Sequence, residues 1–290
     1  MNNMFKMFFR AAIVAIVGGV VFSCNKAESG VEDSQEKKAI EVSTVCQTRG
    51  EMLGSENFKT LSLYAYHKDD TQLMNDNIFT KVGDKWNPEV IHYWPNSDEV
   101  IDFYGYAPCA SSNNGLVVDG ETKTITYDMP TSVVDQPDLV VASASESRNS
   151  EGVLLTFDHV LALIKFSVVG NGTSSIESIT IEGISSKGDF SMVEKKWLSI
   201  EDPSSEVFEA KIISDISDAT EETQLTTSDG YIFAIPQEGS VTVRVENSNG
   251  DTTDKTFDID WQAGKPYNYI ITLGKADTNL TGEQIVGNGV

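Results

Sequence analysis

The sequence predicts an all-β protein built as two β-sandwich domains in tandem, and three observations carry that prediction. Short runs in which apolar and polar residues alternate recur along the chain, the period-2 signature of half-buried strands. Val, Ile, Thr, Tyr and Phe, which suit a pleated surface, dominate these runs. Gly, Asn, Asp and Pro punctuate them closely, giving about fourteen short strands in two sets with almost no helix. At 290 residues there is length for one large or two modest cores.

The first 49 residues stand apart from this pattern. Lys6 and Arg10 make a positive start, Ala11 to Phe22 an apolar core too short to span a bilayer, and small Ser23 precedes Cys24. Residues 1–23 therefore read as a signal peptide, and Val21-Phe22-Ser23-Cys24 as a lipoprotein processing site with Cys24 the acylated residue. Each buried methylene of an acyl chain adds about 0.8 kcal/mol, so a multiply acylated (palmitate-type) cysteine anchors durably in a membrane. Residues 24–49 form a leader. Gly30 to Lys38 is a polar linker, and Ala39 to Val45 is strand-like, with Ile40, Val42, Thr44 and Val45 as its characteristic residues. Thr48-Arg49-Gly50 then offers a basic, proline-free site before the first domain strand.

Residues 50–150 are expected to form the N-terminal sandwich. Leu61, Leu63 and Ala65 share one strand face, with Ser62, Tyr64 and Tyr66 on the other. Further strands are predicted at Ile78–Val82, Val90–Trp94, Val100–Ala107, Leu116–Val118, Thr124–Tyr127 and Leu139–Ala142, with Pro108 ending the third of these six. Ser143 to Gly152 is small, polar and turn-forming, and marks the expected domain boundary. Residues 151–273 form the second sandwich. Val160–Val169 could be helical by periodicity, but its β-branched content and the following Gly170-Asn171-Gly172 favour a buried strand. The clearest hairpin flanks Asn249-Gly250, with Val241, Val243 and Val245 alternating on one arm and Phe257, Ile259 and Trp261 on the other. Residues 274–290 lack alternation and read as a C-terminal tail.

Composition excludes several functions. The net charge is −23, and removing Lys6 and Arg10 with the signal peptide leaves 19 basic against 44 acidic residues, a net of −25. Such a surface repels nucleic acid, whose phosphates need basic partners. No cofactor, metal or catalytic residue is expected. There is no phosphate-cradling glycine loop, no Cys/His ligand set and no nucleophile elbow. His159 beside Asp158 reads as a hydrogen-bonded strand-end pair, and Asp258 and Asp260 as the wet face of a strand. Tyr64, Tyr66, Tyr93, Trp94, Tyr104 and Tyr106 read as packing residues rather than a sugar-binding surface. In an oxidising compartment Cys46 and Cys109 could pair, or each could stay a buried thiol.

Five segments in order resemble the fimbrillin-like (Mfa-like) family. They are Val90-Ile-His-Tyr-Trp-Pro95 with Val100-Ile-Asp-Phe-Tyr-Gly-Tyr-Ala-Pro108, then Gln136-Pro-Asp-Leu-Val-Val-Ala142, Leu155-Thr-Phe-Asp-His-Val-Leu-Ala162, Ile235-Pro-Gln237, and Trp261-Gln-Ala-Gly-Lys-Pro-Tyr-Asn-Tyr269. Asn25 and Lys26 with acidic Glu28, Glu32 and Asp33 loosely resemble the surface-export signals of Bacteroidetes lipoproteins. The resemblance implies two transthyretin-like Greek-key β-sandwiches and a role in type V fimbriae and adhesion. It implies other fimbrial subunits as partners through strand addition, an arginine-specific protease, and an outer-membrane lipid anchor. Arg49-Gly50 matches the cleavage position, and Ile40 to Val45 the strand displaced when a neighbour's donor strand enters. Because the tail lacks a strand pattern, a tip-like subunit that accepts but does not donate is expected. If Cys46 bonded Cys109, the cut leader would stay attached. The competing reading is a monomeric outer-membrane lipoprotein that binds a glycan or host protein.

Overall fold

The first strand alternates inward and outward side chains over Val42–Cys46 and lies at the edge of the largest sheet. It belongs to a computed structural model that describes residues 37–46, 58–95, 98–148, 150–170, 175–211, 223–224, 231–273 and 278–286. In chain order the strands are β1 (Val42–Cys46), β2 (Thr60–Tyr66), β3 (Gln72–Val82), β4 (Lys85–Pro88), β5 (Val100–Ala107), β6 (Leu116–Asp119), β7 (Thr124–Asp128), β8 (Val140–Ser147), β9 (Val153–His159) and β10 (Ala162–Gly170). They continue as β11 (Ile176–Glu182), β12 (Lys187–Ser191), β13 (Lys196–Ile200), β14 (Val207–Lys211), β15 (Thr223–Gln224), β16 (Ile232–Ala234), β17 (Gln237–Asn247), β18 (Thr252–Trp261), β19 (Pro266–Leu273) and β20 (Thr278–Val286). Among the described residues the one helical element is a 3-10 turn at Val133–Asp135. The protein is all-β, as the alternation predicts.

The strands sort into four sheets. The first has seven strands in the order β1-β9-β8-β5-β2-β3-β4. A second is ordered β15-β10-β19-β20, with β16 also on β10; a third is β14-β11-β17-β18, and a fourth β13-β12-β7-β6. The seven-stranded sheet is covered on both faces, which β2 makes plain. Leu61, Leu63 and Ala65 enter one core with Phe103, Leu155 and Phe157. Tyr64 and Tyr66 enter a second core with Tyr106, Ile125 and Tyr127, which continues into Leu163, Phe166, Val243 and Trp261. The fourth sheet is held against that second face at a tight contact. Tyr66 donates to the Gly120 carbonyl, Lys123 Nζ lies 2.8 Å from Asp70 and 4.4 Å from the Tyr66 ring centroid, and a Cβ on Gly120 would stand 2.6 Å from Tyr64 Cε1. Only glycine fits there without moving a buried ring.

Several expectations change. Across Ser143–Gly152, the expected domain boundary, residues to Ser147 finish β8, and β9, which follows, joins the same sheet. The fourth sheet likewise mixes β6 and β7 with β12 and β13 from beyond that point. The described residues from Lys37 onward form one compact unit. Val90–Trp94 is not a strand; Pro88 and Pro95 bracket it and remove ladder donors, leaving Tyr93 one isolated bridge to Ala39. The tail contains β20, which pairs antiparallel with β19 from Leu273↔Thr278 to Tyr267↔Val286 through one irregularity. Val160–Val169 does resolve as strand, β10, buried between β19 on one side and β15 and β16 on the other.

Candidate functional site

The seat of β1 is where sequence and geometry converge. Residues 37–46 are extended, and alternation sends Ile40, Val42, Thr44 and Cys46 inward while Glu41, Ser43 and Val45 face out. Ile40 is 4% exposed and sits in the first core, where Val42 and Cys46 also pack. Val45, on the same strand, is 51% exposed. On one side β1 runs parallel to β9, from Val42↔Val153 to Cys46↔Phe157, and Val153 N–H donates to the Glu41 carbonyl at 2.8 Å. On the other side, among the described residues, its backbone bonds lie before the strand proper: Ile40 N–H to His92 O and Trp94 N–H to Lys38 O, each 3.0 Å. One ladder therefore holds β1, so withdrawing it breaks no pairing between other strands.

Side chains close the seat. The aromatic floor is Phe58, edge-on to Trp86 at 5.2 Å and to Phe157 at 5.0 Å. Trp86 belongs to β4, the far edge of the same sheet, and its indole N–H donates to Thr44 Oγ1 at 3.1 Å. Lys38 Nζ donates to the carbonyls of Arg148 (2.9 Å) and Ser150 (2.8 Å) in the β8–β9 turn. Gly152 completes the fit, because a Cβ there would come 3.1 Å from the Glu41 carbonyl oxygen. Trp86, Lys38 and Gly152 were not singled out from sequence. Trp86 announces itself only as a tryptophan on a four-residue strand, and nothing local says that it faces residue 44.

Cys24, Arg49 and Gly50 lie outside the described residues. Cys46 and Cys109 are half-buried thiols with no bond between them. Cys46 ends β1, whereas Cys109 lies two residues beyond the end of β5.

No catalytic constellation forms among the described residues. His159 pairs not with Asp158 but with Asp138, Nδ1 to Oδ1 at 2.8 Å, both side chains almost wholly buried; Asp158 instead faces Lys195 at 3.4 Å. Beside that pair lies a cleft of about 270 Å3 lined by Val160, Phe190, Trp197 and Pro236, with no serine or cysteine in its wall. A larger cleft of about 620 Å3, between Thr131–Val134 and β14, has neither histidine nor cysteine. Of the six aromatics considered as a sugar surface, Tyr93 is the exposed one, while Tyr64, Tyr66, Trp94 and Tyr106 are buried and Tyr104 half-buried. Burial raises the hydroxyls of Tyr64 and Tyr106 above the usual phenol range, with nearby Asp76 adding to it. They have no use as acids or bases near neutrality. At Asp102 burial alone would raise the carboxyl, but the Lys68 ammonium, 2.8 Å from both oxygens, and the Ser145 hydroxyl outweigh it and hold it low. This is a surface brace between β2 and β5.

The segments that carried the resemblance prove to be joints. Asp138–His159 ties the second segment to the third. Gln237 brackets Ser185, accepting from its N–H and donating to its carbonyl. Trp261 Nε1 donates to the Tyr269 hydroxyl at 3.0 Å, and Gln262 N–H to that of Tyr267 at 2.8 Å, locking the β18–β19 turn.

A family model described as fimbrillin-like matches residues 48–288. No curated protein matches the chain in sequence. Among solved structures the chain is similar to a fimbrial protein of Bacteroides vulgatus (16% identity, 84% of this chain and 99% of that one, TM-score 0.61). It is also similar to candidate cell adhesion proteins of Bacteroides ovatus (16%, 86% and 97%, 0.62) and Bacteroides uniformis (14%, 86% and 97%, 0.58). At these identities the likeness is one of fold.

Proposed function

The chain belongs to the fimbrillin-like family, and from that premise we propose that it is a structural subunit of an adhesive cell-surface fimbria, assembled by strand replacement at the seat of β1. The precursor is exported as a lipoprotein through acylated Cys24 and held at the outer membrane. An arginine-specific protease cuts between Arg49 and Gly50. The leader then leaves with β1, and an extended strand of another fimbrial subunit takes its place beside β9. The transthyretin-like Greek-key arrangement implied by the resemblance is part of this reading. The chemistry is non-enzymatic: an open sheet edge and an apolar groove supply hydrogen bonds and side-chain pockets to the incoming strand.

One observation carries the proposal. β1 fills a groove in the first core yet is held by a single ladder, and it ends at Cys46, three residues before Arg49 in the sequence. The tip-like placement drew on a tail without a strand; β20 now stands there, which favours a subunit able both to accept and to donate. The solitary glycan- or host-binding lipoprotein drew on exposed aromatics, and these are mostly core. N-terminal sequencing of the protein recovered from surface fibres tests the proposal. A start at Gly50 is expected; a start at acylated Cys24 in assembled fibres would overturn it.

A further inference from the structure

The groove under β1 is not uniformly apolar. Ile40, Val42 and Cys46 pack against the first core, but Thr44 meets a hydrogen-bond donor. Trp86 is 8% exposed, and its indole nitrogen, which can only donate, gives its proton to Thr44 Oγ1 at 3.1 Å. A buried donor that loses its acceptor bears the full cost of its desolvation, whereas a missing apolar contact at one of the other positions is a matter of fit. Phe58 and Phe157 wall the same floor, so the seat gives the indole an apolar neighbourhood.

We propose that Trp86 selects the strand that replaces β1. Its occupant is an extended segment of a neighbouring subunit with apolar, preferably β-branched, side chains at the places of Ile40 and Val42. At the place of Thr44 it carries a hydrogen-bond acceptor: Thr, Ser, Asn or Gln. The pattern is read from the strand now seated there. The outward positions of Glu41, Ser43 and Val45 face solvent and impose no choice. A strand with apolar side chains throughout would be a worse fit than its hydrophobicity suggests, because it would strand the indole N–H. This inference rests on the strand-replacement reading and adds to it the identity of the residue that discriminates.

The test uses the full chain cut with an arginine-specific protease and two fluorescent peptides spanning Lys37–Cys46, one native and one carrying Thr44→Val. Valine keeps the shape and removes the acceptor. The native peptide should bind the cleaved chain about tenfold more tightly, and the difference should largely vanish in a chain carrying Trp86→Phe. Equal binding of both peptides to the unaltered chain would overturn selection by Trp86 and leave strand replacement standing. Binding of neither, with the leader still seated after cleavage, would overturn strand replacement and this proposal with it. The peptide comparison on the unaltered chain decides the matter even if Trp86→Phe does not fold.

Discussion

Ile40 is the side chain on which the leader's grip should depend most. It lies 4% exposed in a core that also holds Phe58, Trp86 and Phe157, while its neighbours on the strand are half-buried or face out. Truncating a buried Ile to Ala costs about 2–5 kcal/mol, part for lost transfer and part for the cavity left behind. Applied to a strand held by one ladder, much of that loss should appear as leader release rather than global unfolding. Ile40→Ala should therefore let the cleaved leader dissociate far faster, read by sizing or mass spectrometry of the cut chain. Val45→Ala, at a position 51% exposed on the same strand, should change release little. Similar release from both variants would mean that backbone pairing with β9, not the Ile40 pocket, holds the leader. Ile40, Val42 and Val45 were legible in the sequence as residues of one strand-like segment, but not which of them point inward; alternation along the strand sends Val45 outward.

At the scale of elements, alternation was readable wherever a strand has one polar and one apolar side or is bracketed by strong turns. Val100–Ala107 agrees at both ends, and Asn249-Gly250 sits in the β17–β18 turn with Gly250 at φ +80. What escaped was edge structure. β13 and β20 are edge strands: β13 buries little, and β20 contains Gly282 and few apolar residues, so neither carries the pattern that burial imposes. The Trp86–Thr44 contact escaped for a different reason. Periodicity tells which face a residue takes, not that the two edges of one sheet come together across 42 residues of chain. The position of β20 has a consequence that can be measured. Among the described residues it pairs with β19 alone, and β19 keeps its parallel ladder to β10 without it. A chain ending at Leu273 should therefore fold with a modest loss of melting temperature. Under the donor role it should also fail to build oligomer ladders after cleavage at Arg49, where the full chain builds them. Ladders of undiminished length from the shortened chain would remove β20 from assembly.

At the scale of the molecule, a core shared across chain segments and a one-sided charge work in opposite directions on assembly. The first sheet is buried on both faces, so under the proposed loss of β1 the body would retain its second core, which contains neither β1 nor its seat. This favours a subunit that stays folded while its groove is open. Charge opposes the next step. The chain carries a net −23, so copies approaching in solution repel one another. The reach of that repulsion depends on salt: the screening length is about 30 Å at 0.01 M and about 8 Å at 0.15 M. The seat itself has a largely apolar floor, and its hydrogen bonds to an incoming backbone are short-ranged, so salt should weaken the barrier more than the bond. Oligomer formation by the cleaved chain should thus be several-fold faster at 0.15 M than at 0.01 M salt, followed by time-resolved sizing, with little change in the stability of ladders once formed. Slower assembly at higher salt would mean that patches of opposite sign meet at the subunit contact and that net repulsion does not govern encounter.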